Sequence, residues 1–293
     1  MNYITDQQGI IERYLKEAEG WSIHLEKTKN TIIKSAEKKK NGNCAILGAG
    51  WLGTKLAENL KSDYNVKVSV RNEDKLFDFE NLGYTTYILN EYDLSSLDEL
   101  LDTNYLFINY PPSKFDDYLG FLEKIYSCKK INYIEKIIFI SSTSIYPNSE
   151  GIFDENSIIE TPSNKIVFDA EVLISKKSDL IFRVSALLGE DRIAGRRLSN
   201  KKVDFPKTKI NFVHRNDVIS ATIFAIKNDL NGIFNLASKQ HPTKEELYRF
   251  NSQKYGFEKP IFSDDENSIE RIIDGSKIEK FGFEYKYFDA FNF

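Results

Sequence analysis

Cys44-Ala45-Ile46-Leu47-Gly48-Ala49-Gly50-Trp51-Leu52-Gly53 is the stretch that decides the fold. Cys44 to Leu47 is an apolar run of strand length, and the six residues after it read G-x-G-x-x-G. Thr54 to Lys61 then places Leu56, Ala57 and Leu60 on one face of a helix. A glycine-rich turn between a strand and a helix has a physical use. Gly48 lets the chain reverse sharply, Gly50 lets a pyrophosphate approach the backbone, and Gly53 lets the helix pack close to the strand. The N–H groups of the first helical turn then face the phosphates. The expectation is a nicotinamide dinucleotide held at Gly48, Gly50, Trp51, Leu52 and Gly53; the bland alternative is a turn with no ligand.

The end of the next strand selects the dinucleotide. An acidic residue there bonds the ribose 2′-hydroxyl of NAD, whereas a basic one accommodates the 2′-phosphate of NADP. Val66 to Val70 reads as that strand and ends in Arg71-Asn72, eighteen residues past Gly53. The pattern points to NADP, with NAD as the alternative because Glu73 and Asp74 follow. Arg71 as a simple surface cation is the competing reading.

Further along, short apolar runs alternate with amphipathic segments, as in successive βαβ units. Strands are expected at Tyr84 to Leu89, Tyr105 to Asn109, Lys136 to Ile140 and Leu180 to Val184. Helices are expected at Leu97 to Leu101, Tyr118 to Ser127 and around Ala170 to Ser175. Beyond these the alternation loosens, leaving a short strand at Phe212-Val213, a helix at Val218 to Ile226, a strand at Ile233 to Leu236 and a helix at Lys244 to Tyr255. The fold class is α/β, a Rossmann-type doubly wound parallel sheet.

Upstream of the glycine turn, residues 6–40 read as helix with a break at Gly20, and Lys38 to Gly42 reads as a polar linker. Residues 1–41 are therefore expected to be a helical extension, a surface for a second copy or a partner protein. His24, within it, reads as a packing or surface residue. The 293 residues include 41% hydrophobic and 13% aromatic side chains, enough for a packed globule. A net charge of −4 speaks against a nucleic-acid partner. No run of about 18 apolar residues exists to span a membrane, and the polar first twenty residues lack a secretory signal. Cys44 and Cys128 lie in or near apolar stretches with no metal-like spacing, and read as free thiols in a reducing compartment. The expected location is the cytoplasm.

Three more segments suggest a family. Ile138 to Tyr146 closes a strand in S-S-x-x-x-Y form, Phe212 to Val218 reads F-V-H-x-x-D-V, and Phe182-Arg183-Val184 with Leu188-Gly189 lies between them. With the glycine turn they run in the right order from Asn43 to the C-terminus. The chain resembles the extended short-chain dehydrogenase/reductase superfamily, the NAD-dependent epimerase/dehydratases. Within it the chain is similar to a small bacterial subgroup, the YeeZ-like proteins. These share the G-W-L-G turn, S-S-T-S-[VI]-Y, and a tail like Ile272 to Lys277 with Gly282 to Tyr285 after it. The resemblance implies a sheet of about seven parallel strands and a domain over 42–293. It also implies a small substrate lobe, drawn from 187–211 and 238–293. It places Ser142, four residues before Tyr146, where a hydroxyl bonds the reacting carbonyl or alcohol, and Ser141, Tyr110 and Pro111 beside the cofactor.

The pattern breaks at the acid/base. Working members carry Y-x-x-x-K on the helix after the fifth strand, where Lys and Tyr share a face and the ammonium lowers the phenol pKa. Here the Tyr position falls on Phe168 or Asp169 and the Lys position on Val172 or Leu173. Three Y-x-x-x-K strings elsewhere (Tyr110, Tyr126 and Tyr255 with the Lys four residues on) are an unremarkable number for so Tyr- and Lys-rich a chain, and none sits where the dyad belongs. Asp169 as a replacement base and Tyr146 as an acid are the remaining catalytic candidates, each with a bland competitor: an exposed carboxylate and a packed tyrosine. His214 reads as a structural hydrogen-bonding group. Arg192, Arg196, Arg197, Lys201 and Lys202 suit an anionic small-molecule substrate, such as a nucleotide-sugar, or form a solvated basic face. The functional expectation is an NAD(P)-dependent oxidoreductase or epimerase/dehydratase-like protein without the dyad. The alternative is a dinucleotide-binding sensor or structural subunit.

Overall fold

In the computed structural model, the described residues are Lys16, Ala18, Glu19, Gly20, Ser22, Leu25 and 40–293 apart from Glu266 and Phe293. The chain divides into two compact units, Met1–Asn41 and Gly42–Phe293. In the first, Lys16, Ala18, Glu19, Gly20, Ser22 and Leu25 are helical and exposed, and Lys40 and Asn41 are exposed and outside any helix. The rest of the expected helical extension, His24 included, lies outside the described residues.

The second unit is built on seven strands: β1 (Asn43–Leu47), β2 (Asn65–Val70), β3 (Thr85–Ile88), β4 (Tyr105–Ile108), β5 (Lys136–Ser142), β6 (Leu180–Val184) and β7 (Gly232–Leu236). They form one sheet in the order β7-β6-β5-β4-β1-β2-β3, parallel at every pairing. Parallel strands need crossovers, and these carry the helices that cover the sheet. One face of the sheet, with Ile46, Val68, Phe107 and Phe182, packs on α1 (Trp51–Leu60) and on the helix Arg215–Lys227. The other face, with Ala45, Leu47, Ile108 and Phe139, packs on α2 (Tyr118–Ser127) and α3 (Lys165–Ile174). Burial of both faces explains why these strands read as continuous apolar runs instead of alternating ones. Each buried Leu, Ile or Phe among them contributes about 1.5–3 kcal/mol of transfer free energy.

The strand order fixes where a ligand can sit. From β1 the chain winds outward to β2 and β3, then crosses back to β4 on the other side of β1. At such a switch point two adjacent crossovers leave in opposite directions, and a crevice opens beyond the carboxyl ends of β1 and β4.

Outside the main sheet the loosened C-terminal alternation resolves into three short parallel pairs. Ala186–Leu188 pairs with Phe212–His214, Gly151–Phe153 with Arg271–Ile273, and Lys202–Val203 with Ile261–Phe262. A separate apolar cluster of Phe212, Leu247 and Ala290 sits among these later segments. Both cysteines are free, Cys44 buried and Cys128 half-buried. No described helix is long and apolar enough to cross a membrane.

Candidate functional site

A cleft of about 780 Å³ opens at the switch point, within the ~300–1,000 Å³ of ordinary ligand sites. Its floor is the glycine turn. Gly48 has φ +90, and a Cβ there would come within 2.6 Å of the Asn109 carbonyl oxygen, so only glycine fits. A Cβ on Gly53 would come within 2.5 Å of the Gly48 oxygen, which is the close helix-to-strand contact expected of that position. Gly50 differs from both: a Cβ there meets no protein atom within 4 Å. The space above Gly50 is open, as a site for a bulky group requires. α1 begins at that point with no side chain capping its N-terminus and no acidic residue in its first turn. Its first N–H groups, which lack intrahelical acceptors, therefore have no carboxylate to satisfy them.

A buried relay holds the turn. Ser69 on β2 accepts the Gly48 N–H through its Oγ at 3.0 Å and shares a 2.7 Å hydrogen bond with the Tyr110 hydroxyl. Tyr110, expected beside the cofactor, thus lines the cleft with its hydroxyl already engaged, and burial pushes its pKa up. Pro111 follows it on the same wall. Arg71 and Asn72 leave the end of β2 and also line the cleft, the Arg71 guanidinium resting 4.8 Å from the centre of the Phe115 ring. Lys75 and Lys114 join them on the lining, and Arg192 is the fourth basic residue. Among the described residues, no Asp, Glu or His lines the cleft. The residues present therefore fit a dinucleotide: an open glycine turn, a free helix N-terminus and four cations with no competing carboxylate.

At the β5 end, Ser141, Ser142 and Ser144 line the cleft together with Asn164. Ser142 Oγ accepts the Ser144 N–H at 3.1 Å, which leaves its hydroxyl proton free to donate. Ser141 is oriented the other way. Its hydroxyl donates to Glu171 Oε2 at 2.8 Å, so toward anything else it is an acceptor.

The two candidate acid/base residues are not brought to the cleft. The Tyr146 side chain is fully buried, and its hydroxyl donates toward the Asp154 carbonyl and Asn235 Oδ1, both at 2.8 Å, while receiving Arg183 Nη1 at 2.8 Å. Burial raises its pKa, partly offset by the Arg183 charge. A phenol so bonded and so hard to ionise is a packed tyrosine. Asp169 projects from α3 away from the lining and pairs with Lys165, one turn back, at 2.6 Å. The expected dyad positions are corrected as well. Phe168 packs beside the cluster of Ile145 and Tyr146, and Val172 and Leu173 are exposed. The residues of α3 that line the cleft at the i,i+4 spacing are Ile166 and Ala170, both apolar.

The basic cluster also disperses. Arg192 reaches the cleft, whereas Arg196 lies over the Tyr255 ring at 5.6 Å and Lys202 pairs with Asp204 at 2.9 Å. His214 is buried, accepting the Asn216 N–H at Nδ1 as the cap of its helix, so the structural reading applies. The residues that sequence reasoning passed over are Ser69, Lys75, Lys114 and Asn164. A serine inside an apolar strand was a usable signal for Ser69, and Asn164 is the residue that caps α3. Nothing local marked Lys75, and Lys114 was noticed only as the end of the Tyr110 string set aside above.

No protein-family model matches the chain. Protein YeeZ of Escherichia coli is 30% identical over 267 residues, covering 84% of this chain and 96% of its own length. Among solved structures, a proposed NAD-dependent epimerase/dehydratase from Methylobacillus flagellatus superposes with a TM-score of 0.72. Its identity is 20%, over 85% of this chain and 94% of that one. The UDP-glucuronic acid 4-epimerase from Bacillus cereus, solved in complex with NAD, gives 0.66 at 16% identity over 83% and 94%. The structural likenesses show a shared fold, and the sequence identity shows the family: the chain belongs with the YeeZ-like proteins, on the Rossmann fold of the NAD-dependent epimerase/dehydratases, the extended short-chain dehydrogenase/reductases.

Proposed function

We propose that the protein binds NADP(H) in this cleft, in preference to NAD(H), and presents its nicotinamide to a small anionic carbonyl or sugar compound beside Ser142. The observation that carries the reading is the composition of the cleft: an open glycine turn and four cations, with no acidic side chain on the lining. Arg71, Asn72 and Lys75 follow β2, where a 2′-phosphate would have to be met, and a guanidinium there forms charge-assisted bonds with phosphate. The bound dinucleotide supplies hydride exchange. Ser142 donates its free hydroxyl proton to the substrate oxygen, and Ser141 offers an acceptor one residue away. No side chain on the lining is suited to move a proton at neutral pH, so the proton of the reaction comes from solvent. A bound UDP-sugar acid is one substrate of this class, by analogy with the Bacillus cereus epimerase.

A second reading has its own observation. The Ile166 and Ala170 positions remove the usual acid/base pair from the cleft, which suits a protein that binds the dinucleotide without turning it over. Fluorescence titration of NADPH and NADH separates the possibilities. The wild-type protein should bind NADPH more tightly than NADH. Gly50→Asp, which the open space tolerates, should lose both by more than about 100-fold as its carboxylate meets the phosphates. Arg71→Ala should weaken NADPH by about tenfold, the value of one charge-assisted bond, and leave NADH within about twofold. Folded wild-type protein that binds neither nucleotide would end the reading. Binding with no oxidation of NADPH across a panel of sugar nucleotides and carbonyl compounds would favour the sensor.

A further inference from the structure

The residue inside the glycine turn is a tryptophan, and a distant loop grips it. The loop Gly189–Gly195 follows the strand Ala186–Leu188 and is fixed at both ends by left-handed glycines, φ +121 at Gly189 and +88 at Gly195. A Cβ at Gly189 would lie 2.3 Å from His214 Nε2, and one at Gly195 would lie 2.8 Å from the Tyr248 ring, so neither end tolerates a side chain. Gly189 and Arg192 exchange backbone hydrogen bonds at 3.3 and 2.9 Å, closing a tight turn that carries Glu190, Asp191 and Arg192.

Asp191 and Arg192 engage the start of α1 directly, and Glu190 does so through Arg215. Asp191 Oδ1 accepts the Trp51 indole N–H at 2.6 Å. The Arg192 guanidinium lies 4.1 Å from the centre of the indole ring. Glu190 pairs with Arg215, whose guanidinium lies 4.2 Å from the same ring and whose Nη1 donates to the Trp51 carbonyl at 3.1 Å. The two arginines are not equivalent. Arg215 is buried and neutralised by Glu190. Arg192 lines the cleft, and its side chain makes no hydrogen bond or ion pair among the described residues.

Desolvation first and the Arg197 charge second hold the Arg192 pKa below the usual guanidinium range, with Asp191 opposing them and Arg215 adding to them. The Arg192 guanidinium sits beside Arg215 and beside the positive end of α1, whose first turn has no acidic residue to offset the dipole. A cation held there by an aromatic platform, facing a cleft without carboxylates, is placed to receive an anion. We infer that Arg192 is a diphosphate-binding residue, completing with its fork the site that the glycine turn begins, with Trp51 as the platform that fixes it. The inference rests on the dinucleotide reading above. It adds a contact from a loop about 140 residues away in sequence, so that loop 189–195 becomes part of the cofactor site.

The test uses two probes on the full chain: NADPH, and adenosine 2′-phosphate, which carries the 2′-phosphate but no diphosphate. Arg192→Ala should weaken NADPH by about tenfold or more, and leave adenosine 2′-phosphate within about twofold. Arg71→Ala should weaken both probes. Because Arg192 is exposed, the melting temperature of Arg192→Ala should match the wild type, which separates lost contact from lost fold. A second readout comes from the indole. The chain has two Trp, so Trp21→Phe leaves Trp51 as the sole reporter. NADP⁺ should change its emission, and the change should shrink when Arg192→Ala is added. NADPH affinity unchanged in Arg192→Ala, or an equal loss for both probes, would overturn the assignment while leaving the dinucleotide reading in place. Wild-type protein that binds neither probe would remove the dinucleotide reading itself, and this inference with it.

Discussion

The two ends of the cleft are built on opposite principles. At the β1–β2 end, polar groups are left open: the α1 N-terminus has no cap, Gly50 has no neighbour above it, and Arg71 and Arg192 have only aromatic rings as supports. At the β5–α3 end, the charged and acidic groups are satisfied within the protein. Glu171 binds Arg183 through Nε and Nη2 and takes the Ser141 proton, and Arg183 passes its remaining Nη1 to Tyr146. The first end is arranged for something outside the chain. The second spends its ionisable residues on internal order and leaves serines, an asparagine and apolar side chains to face the cleft. One fold thus carries an end whose polar groups are left open and an end whose ionisable groups are packed inside.

The largest expected effect tests that second end. Arg183 and Glu171 are both buried, at 6% exposure each. Arg183→Met removes the cation and strands the carboxylate, which costs about 3–5 kcal/mol when a buried pair is broken from one side. Denaturant unfolding should register this loss, while NADPH affinity of the protein that remains folded should stay within about threefold. If Arg183→Met kept its stability and lost NADPH binding, the network would belong to the site and the contrast between the two ends would fail.

A smaller effect concerns the positive charge at the first end. His214 is buried, stacked 4.1 Å from Tyr287, and burial first and Arg215 second push its pKa from 6.5 down to about 4. A group with a depressed folded pKa takes up its proton in the unfolded chain first. Its stability contribution is therefore whole above about pH 6.5 and is lost as the pH falls from there through 4. The loss is on the order of 3 kcal/mol. His214→Gln should flatten this part of the curve relative to wild type. Asp217, whose pKa burial raises, acts in the opposite direction at low pH in both proteins and cancels in the comparison. Parallel unfolding curves for the two proteins between pH 7 and pH 4.5 would show that burial and the Arg215 charge do not depress the His214 pKa.

The sheet was legible because burial on both faces writes itself into composition. Cys44 to Leu47 and Tyr105 to Ile108 are apolar throughout, Leu180 to Val184 is apolar but for Arg183, and each strand has a neighbour on both sides. The glycine turn was legible because Gly48 and Gly53 answer to backbone contacts that no other residue permits, while Gly50 keeps the space above the turn open. Helix α3 starts at Lys165, earlier than the Ala170 its apolar residues suggested, because Asn164 caps it at the Val167 N–H. Of the short strand pairs only Phe212-Val213 was marked; the pairs at Gly151–Phe153 and Lys202–Val203 left no trace, since two or three residues carry no period. Side-chain direction in the site was the least legible part. Tyr146 matches its motif, yet its hydroxyl is claimed by Arg183, a residue 37 positions away. Arg192 and Arg196 are neighbours in sequence, yet the left-handed Gly195 between them sends one to the cleft and the other to Tyr255. Such choices are made by tertiary contacts, which local pattern does not record.

The smallest expected effect bears on the same end and is the most telling if it is wrong. Asp169 pairs with Lys165 across one exposed turn of α3, the side chains being 33% and 78% exposed. Such i,i+4 pairs contribute no more than about 0.5 kcal/mol. Asp169→Asn keeps the shape and removes the charge, so stability, NADPH affinity and any NADPH oxidation should all stay at wild-type values. The prediction follows from direction alone: a carboxylate that leaves α3 away from the lining has no route to a proton at the nicotinamide end. Turnover that survives in wild type and disappears in Asp169→Asn would mean that α3 rotates or the cleft rearranges when substrate binds. The β5–α3 end would then hold working chemistry in a conformation that the ligand-free protein keeps turned outward. Unchanged turnover would agree with a proton taken from solvent, since no Asp, Glu or His among the described residues lines the cleft.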